Sequence, residues 1–219
     1  RLKSKSPQAR VRAVQQLRRL GDEQAVEALV DALQDPDSEV RREAALALGE
    51  IRDGRAVGPL VGALRDPIEA VQEGAIQALK QLGDSTAAGP LAAALDHLTP
   101  KGQWLAAQAL GALGWKPENT AQEIQFLIAA GELKRAAQLG PAAIRPLTGV
   151  LRSGTYQERG MAANLLGEMA DPAVIRPLLG ALKDSDGLVR TAAARALARL
   201  GNPEAVSGLT TAMKDREKN

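Results

Sequence analysis

The 219-residue chain has no cysteine. That removes disulfides, thiol nucleophiles and thiolate metal sites, and leaves the redox compartment open, with the cytoplasm favoured. A single histidine, His97, is present. A nucleophile–His–Asp set or a His-based metal centre needs several groups converging on one point. His97 falls where Asp35 and Asp66 stand in neighbouring turns, so it reads as a surface cap. Aromatics are only 2% of the chain, which makes any core aliphatic. No apolar run reaches the roughly 18 residues of a membrane span. Neither sign of charge dominates. Lys and Arg number 28 against 26 Asp and Glu, a net of +2, and that balance disfavours nucleic acid as a partner. No GxGxxG or GxxxxGK loop occurs to cradle a phosphate. The expectation is a chain without cofactor or metal that is not an enzyme.

What is present is apolar and periodic. Hydrophobic residues make up 45%, and they recur in columns. Ala13, Ala44, Ala75, Ala106, Ala162 and Ala193 are separated by 31, 31, 31, 56 and 31 residues. Leu17, Leu48, Leu79, Leu110, Leu166 and Leu197 keep the same steps, and Leu29, Leu60, Leu91, Leu147, Leu178 and Leu209 step by 31, 31, 56, 31 and 31. One irregularity shared by three columns marks a repeat array interrupted between Leu110 and Leu147.

Local signals divide each repeat into two helices. Ser6-Pro7, Asp35-Pro36, Asp66-Pro67 and Thr99-Pro100 place a capping oxygen before a proline, as a helix start requires. Val40, Ala44, Leu48 and Ile51 then give one buried stripe. Gly21, Gly83, Gly114 and Gly201 end the first helices, and Asp22, Asp53, Asp84 and Asp171 follow as turn or cap residues. Pro59, Pro90, Pro146 and Pro177 lie in the second segment, where a mid-helix proline would cost about 3 kcal/mol. The reading is a tight turn over 54–57, with Pro59 near the start of the second helix.

The run from Asp35 to Gly49, D-P…VR..A…LG, and the run from Asp53 to Asp66, D…AV.PL…L.D, resemble the HEAT-like repeats of the phycobilin (PBS) lyase type. The resemblance covers nearly the whole chain. It implies an all-α, right-handed α-solenoid of about seven HEAT-like helix pairs with period 31 and an irregular unit near 114–140. The pairs are expected at 4–34, 35–65, 66–96, 97–131 (irregular), 132–152 (shortened), 153–183 and 184–214, as a single array over 1–219. Within 114–140, Thr120 and Glu123 predict a capping box. Gly131 breaks the following helix, and 132–139 reads as a truncated first helix. The last second helix is expected over Val206–Met213. HEAT-like proteins that bind iron use His-Glu pairs, and no such pair occurs here.

The candidate site residues form two groups. Second helices line the inner, concave face of such arrays. Gly58, Gly62, Gly149 and Gly180 are expected to make a smooth groove there, with Arg145, Arg152, Arg176 and Lys183 making its C-terminal half basic. Trp104 and Tyr156 join this group as exposed aromatics, while Trp115 and Phe126 are expected to fill the core around the irregular unit. The second group is a structural ladder along the stack. Arg10, Arg41, Arg159 and Arg190 share a column, interrupted by Gln72 and Gln103. Each can pair with an Asp of its own or a neighbouring unit, and Asp22, Asp53, Asp84 and Asp171 supply carboxylates. A basic stripe for an acidic partner is the alternative. The expected function is a non-enzymatic, monomeric scaffold for a protein or peptide. The resemblance also implies a bilin lyase or chaperone-like subunit as an alternative. A first residue that is Arg1 rather than Met suggests a docking or spacer piece of a longer protein.

Overall fold

The computed structural model describes residue 2, residues 4–201 and residue 206. The second helix expected over Val206–Met213 and the tail after it lie outside the described residues, Val206 apart. Among the described residues the fold is all-helical, with thirteen α-helices, four short 3-10 turns and no strand. The architecture is that of a HEAT-type solenoid, divided into two compact units at Lys116 and Pro117.

In the first unit, first helices α1 (Pro7–Leu20), α3 (Ser38–Ile51), α5 (Glu69–Leu82) and α7 (Pro100–Ala112) pack in succession. Second helices α2 (Glu23–Ala32), α4 (Val57–Ala63) and α6 (Ala88–Ala94) cover one side of them. The second unit contains α8 (Thr120–Ala129), α9 (Leu133–Gln138), α10 (Ile144–Ser153), α11 (Tyr156–Glu168), α12 (Ile175–Ala181) and α13 (Gly187–Leu200). The leucine columns are the core. Leu48, Leu79, Leu110 and Leu166 of first helices and Leu29, Leu60, Leu91, Leu147 and Leu178 of second helices are fully buried. Each such burial contributes about 2 kcal/mol.

Each proline of the second segments sits where it costs least. A 3-10 turn (Gly54–Ala56, Ser85–Ala87, Pro141–Ala143, Pro172–Val174) precedes α4, α6, α10 and α12. Pro59, Pro90, Pro146 and Pro177 are then the third residue of each helix, among positions whose N–H has no intrahelical acceptor. First helices end in a left-handed residue. Gly21, Gly83 and Gly201 adopt φ of 63°, 72° and 58°, and Arg52 and Ala170 hold the same position at 60° and 52°.

Neighbouring first helices differ in how closely they approach. A Cβ built on Gly49 of α3 would lie 2.5 Å from the Ala78 Cα of α5. One built on Gly167 of α11 would lie 2.4 Å from the Ala196 Cβ of α13. These are equivalent columns, and α3–α5 and α11–α13 are the most extensive contacts between first helices. Arg18 of α1 and Lys80 of α5 occupy the glycine position elsewhere, and there the packing against the next helix is less extensive.

Three helix starts differ from the sequence reading. α8 is capped by Asn119, whose side chain accepts from the Gln122 N–H at 3.0 Å, so Thr120 is its first residue and not its cap. The capping box is instead at Thr155 and Glu158, opening α11. Asp35 and Asp66 are not caps either. α3 is capped by Asp37, and Ile68 stands at the cap of α5 without a side-chain bond. Asp35 and Asp66 are held by a partner in the preceding repeat.

Candidate protein-binding surface

The arginine column holds consecutive repeats together. Arg10 donates from Nε to Asp35 Oδ2 at 2.7 Å and from Nη2 to Oδ1 at 2.8 Å. Arg41 does the same to Asp66 at 2.7 and 2.9 Å, and Arg159 to Asp184 at 2.8 and 2.8 Å. In each pair the acid is 25 residues on, at the turn opening the next repeat. The remaining nitrogen, Nη1, donates to a backbone carbonyl of the arginine's own repeat: Ser4, Asp35 or Gly154. All three guanidinium nitrogens therefore donate, and the parallel pair onto the carboxylate is the strong form of a charged hydrogen bond. The aspartate also accepts from the N–H two residues on: Asp37, Ile68 or Asp186.

The pairs are largely buried, with Arg10 and Asp35 side chains 10% and 9% exposed. Burial pushes the Asp35 and Asp66 carboxyls up, but the bonds from Arg10 and Arg41, with those from backbone N–H groups, outweigh it and hold both below the usual range. Asp184 is lowered chiefly by its bond from Arg159.

Gln72 and Gln103 keep half of this arrangement. Gln72 donates to the Asp66 carbonyl at 2.7 Å and Gln103 to the Leu95 carbonyl at 2.8 Å. The positions 25 residues on are His97 and Ile128, neither of which offers a carboxylate. A neutral amide makes the carbonyl bond without leaving a half-buried cation unpaired. Arg190 donates to the carbonyls of Asp184 and Ser185 at 2.7 and 2.8 Å. Its position 25 on is Asp215, outside the described residues.

Asp22, Asp53, Asp84 and Asp171, expected as ladder carboxylates, do not meet this column. They accept from the local N–H groups of Ala25, Arg55, Thr86 and Ala173 instead. Asp53 also takes the Arg55 guanidinium, which lowers its carboxyl to about 2. Each stands immediately before a helix or 3-10 turn, and its short side chain serves as the N-cap there. His97 is exposed, and its backbone N–H donates to Ala94.

On the second helices, Gly58, Gly62, Gly149 and Gly180 are exposed, and a Cβ on any of them would meet nothing within 4 Å. Arg145 and Arg152 of α10, Arg176 of α12 and Lys183 just beyond it are exposed and make no ion pair among the described residues. Arg152, Arg176 and Gly180 come together around a shallow cavity of about 390 Å³, with Asp184 at its edge. Arg159 already neutralises Asp184, so the cavity keeps a net positive charge. Arg145, Gly149 and Lys183 are not part of its lining. Trp104 and Tyr156 lie on first helices α7 and α11, 52% and 46% exposed, and so belong to a different side of the repeat. Phe126 packs against the core of the second unit.

HEAT repeats match residues 1–79 and 144–219, and the chain belongs to the HEAT-repeat family. Within it, residues 71–97 match the PBS lyase HEAT-like repeat. None of the curated proteins matches the chain. Among solved structures, the complex of CpcE and CpcF of phycocyanin lyase from Nostoc sp. PCC7120 is similar at 23% identity and a TM-score of 0.50, over 98% of this chain and 91% of that one. Human deoxyhypusine hydroxylase is similar at 24% identity and a TM-score of 0.47, over 94% and 84%. A designed armadillo repeat protein is similar at 20% identity and 0.39, over 91% and 96%. The likeness is one of fold.

Proposed function

We propose that this chain is a non-enzymatic, monomeric scaffold that binds a protein or peptide along its second helices. The observation that carries the reading is the set Arg145, Arg152, Arg176 and Lys183. All four are exposed, none is paired among the described residues, and Arg145 and Arg176 hold equivalent places in α10 and α12. The glycines beside them leave backbone open to close approach, and an acidic segment lying there would meet guanidinium groups able to fork onto its carboxylates. Affinity capture from source lysate, comparing the chain with Arg145→Glu/Arg176→Glu, tests this. A protein retained by the unmodified chain alone supports the reading, and turnover of any substrate that depends on Arg145 or Arg176 removes it.

A second reading is a subunit of bilin-lyase type. It is supported by the PBS lyase HEAT-like match at 71–97 and by the fold shared with the CpcE–CpcF complex. A change in visible absorbance when bilin is titrated into the chain would favour it, and a flat titration would count against it.

A further inference from the structure

The first helix of the fifth pair is cut short. α9 has 6 residues, where α11 and α13 have 13 and 14. A groove of about 1060 Å³ lies between α9, α11 and the C-terminal half of α13, wholly within the second unit. Its floor is unlike the matching surface of α5 and α13. α5 turns Gly74 and Ala78 toward the helix before it, and α13 carries Ala192 and Ala196 at those positions. α11 has Met161 and Leu165 there, and both line the groove. Met161 is 40% exposed, where Ala192 is 7%. Small residues suit a permanent helix neighbour. A long thioether that stays exposed suits an apolar partner that comes and goes, because methionine adapts its shape to what it meets.

The charge around the groove has one sign to spare. Lys134 of α9 and Arg195 of α13 line it and make no ion pair among the described residues. Arg199 and Glu168 offset each other at 3.5 Å. Asp171 accepts from the Ala173 N–H and keeps its charge, so the lining sets Lys134, Arg195 and Arg199 against Glu168 and Asp171, a net of +1.

We propose that this groove docks an acidic amphipathic helix of a partner protein. The helix lies in the groove beside the shortened α9, against α11 and α13. Its apolar side chains meet Met161 and Leu165, and its carboxylates meet Lys134 and Arg195. The proposal is independent of the second-helix surface.

The test uses the full chain and a synthetic 14-residue helix, the length of α3, stapled because so short a helix is marginal alone. The probe carries leucine at helical spacing with glutamate on both flanks, and a control peptide has lysine for glutamate. Fluorescence anisotropy is expected to show the glutamate peptide binding at least about tenfold tighter than the lysine peptide. Met161→Lys weakens it by about tenfold or more, Lys134→Glu/Arg195→Glu reverses the preference, and Arg145→Glu/Arg176→Glu changes nothing. These side chains are exposed, and circular dichroism checks that each variant keeps its helices. No preference between the peptides, or a preference that survives the Lys134 and Arg195 reversal, overturns the proposal. So does a dimer in sedimentation that Met161→Lys dissociates, because the occupant is then a second copy of the chain.

Discussion

Arg41 grips Asp66 through two parallel hydrogen bonds across 25 residues of sequence, whereas Gln72, next in the column, has His97 at the matching position. The donor's charge follows the acceptor's. Arginine stands where an aspartate is 25 on, and glutamine where it is His97 or Ile128. The ladder is therefore a structural ion-pair system, and at the rung of Gln72 and His97 the arginine and the aspartate are both absent.

That relationship predicts a double-mutant cycle. Gln72→Arg alone places an unpaired cation in a half-buried site and should destabilise by about 1–2 kcal/mol. His97→Asp, on an exposed turn, should be nearly neutral. Together they should recover a coupling of about 1–3 kcal/mol, read from urea midpoints. A coupling of zero would show that the column does not act through the pair.

The pH dependence has a definite sign. The Asp66 carboxyl is lowered in the folded chain, against about 3.9 when unfolded. Its stabilisation is fully present above the unfolded value and is lost as pH falls through the folded one. Asp66→Asn should therefore cost most near neutrality, and its difference from the unmodified chain should shrink below about pH 4. A difference that stays constant down to low pH would contradict the assignment.

Helix spacing predicts opposite outcomes for two glycines. Gly167→Ala forces a Cβ into Ala196 and should destabilise by about 1–3 kcal/mol. Gly149→Ala, in the middle of α10 with open space around it, should stabilise by up to about 1 kcal/mol. Denaturant titration of both variants reads the contrast.

Ala170 closes α11 with a left-handed residue at φ 52°. Ala170→Gly should stabilise by about 0.5–1 kcal/mol, because a Cβ is strained in that conformation. Asp171, next in sequence, keeps its own bond, so thermal unfolding should show the gain undiluted.

Much of this architecture was legible in the columns. Ala44 and Leu48 at helical spacing, the glycine stops and the displaced prolines follow from local chemistry, which a sequence displays directly. What was not legible depended on a second repeat. Asp35 and Asp66 resemble caps because each precedes a proline, and only the stacking brings the preceding arginine onto them. The correlation of Arg with Asp and of Gln with His97, at a fixed spacing of 25, was the available signal. Thr155 with Glu158 was an equally available capping box. The α9 groove could not be read, since a truncated helix shows in sequence only as a short one. What its absence uncovers is decided by Met161 in three dimensions.

The measurement that bears most directly on function is hydrogen–deuterium exchange of the chain with its captured partner bound. The account predicts new protection across Ile144–Ser153 and Ile175–Ala181, reduced when Arg145 and Arg176 are reversed to glutamate. A partner that leaves both helices unprotected, and whose binding ignores the reversal, would contradict it.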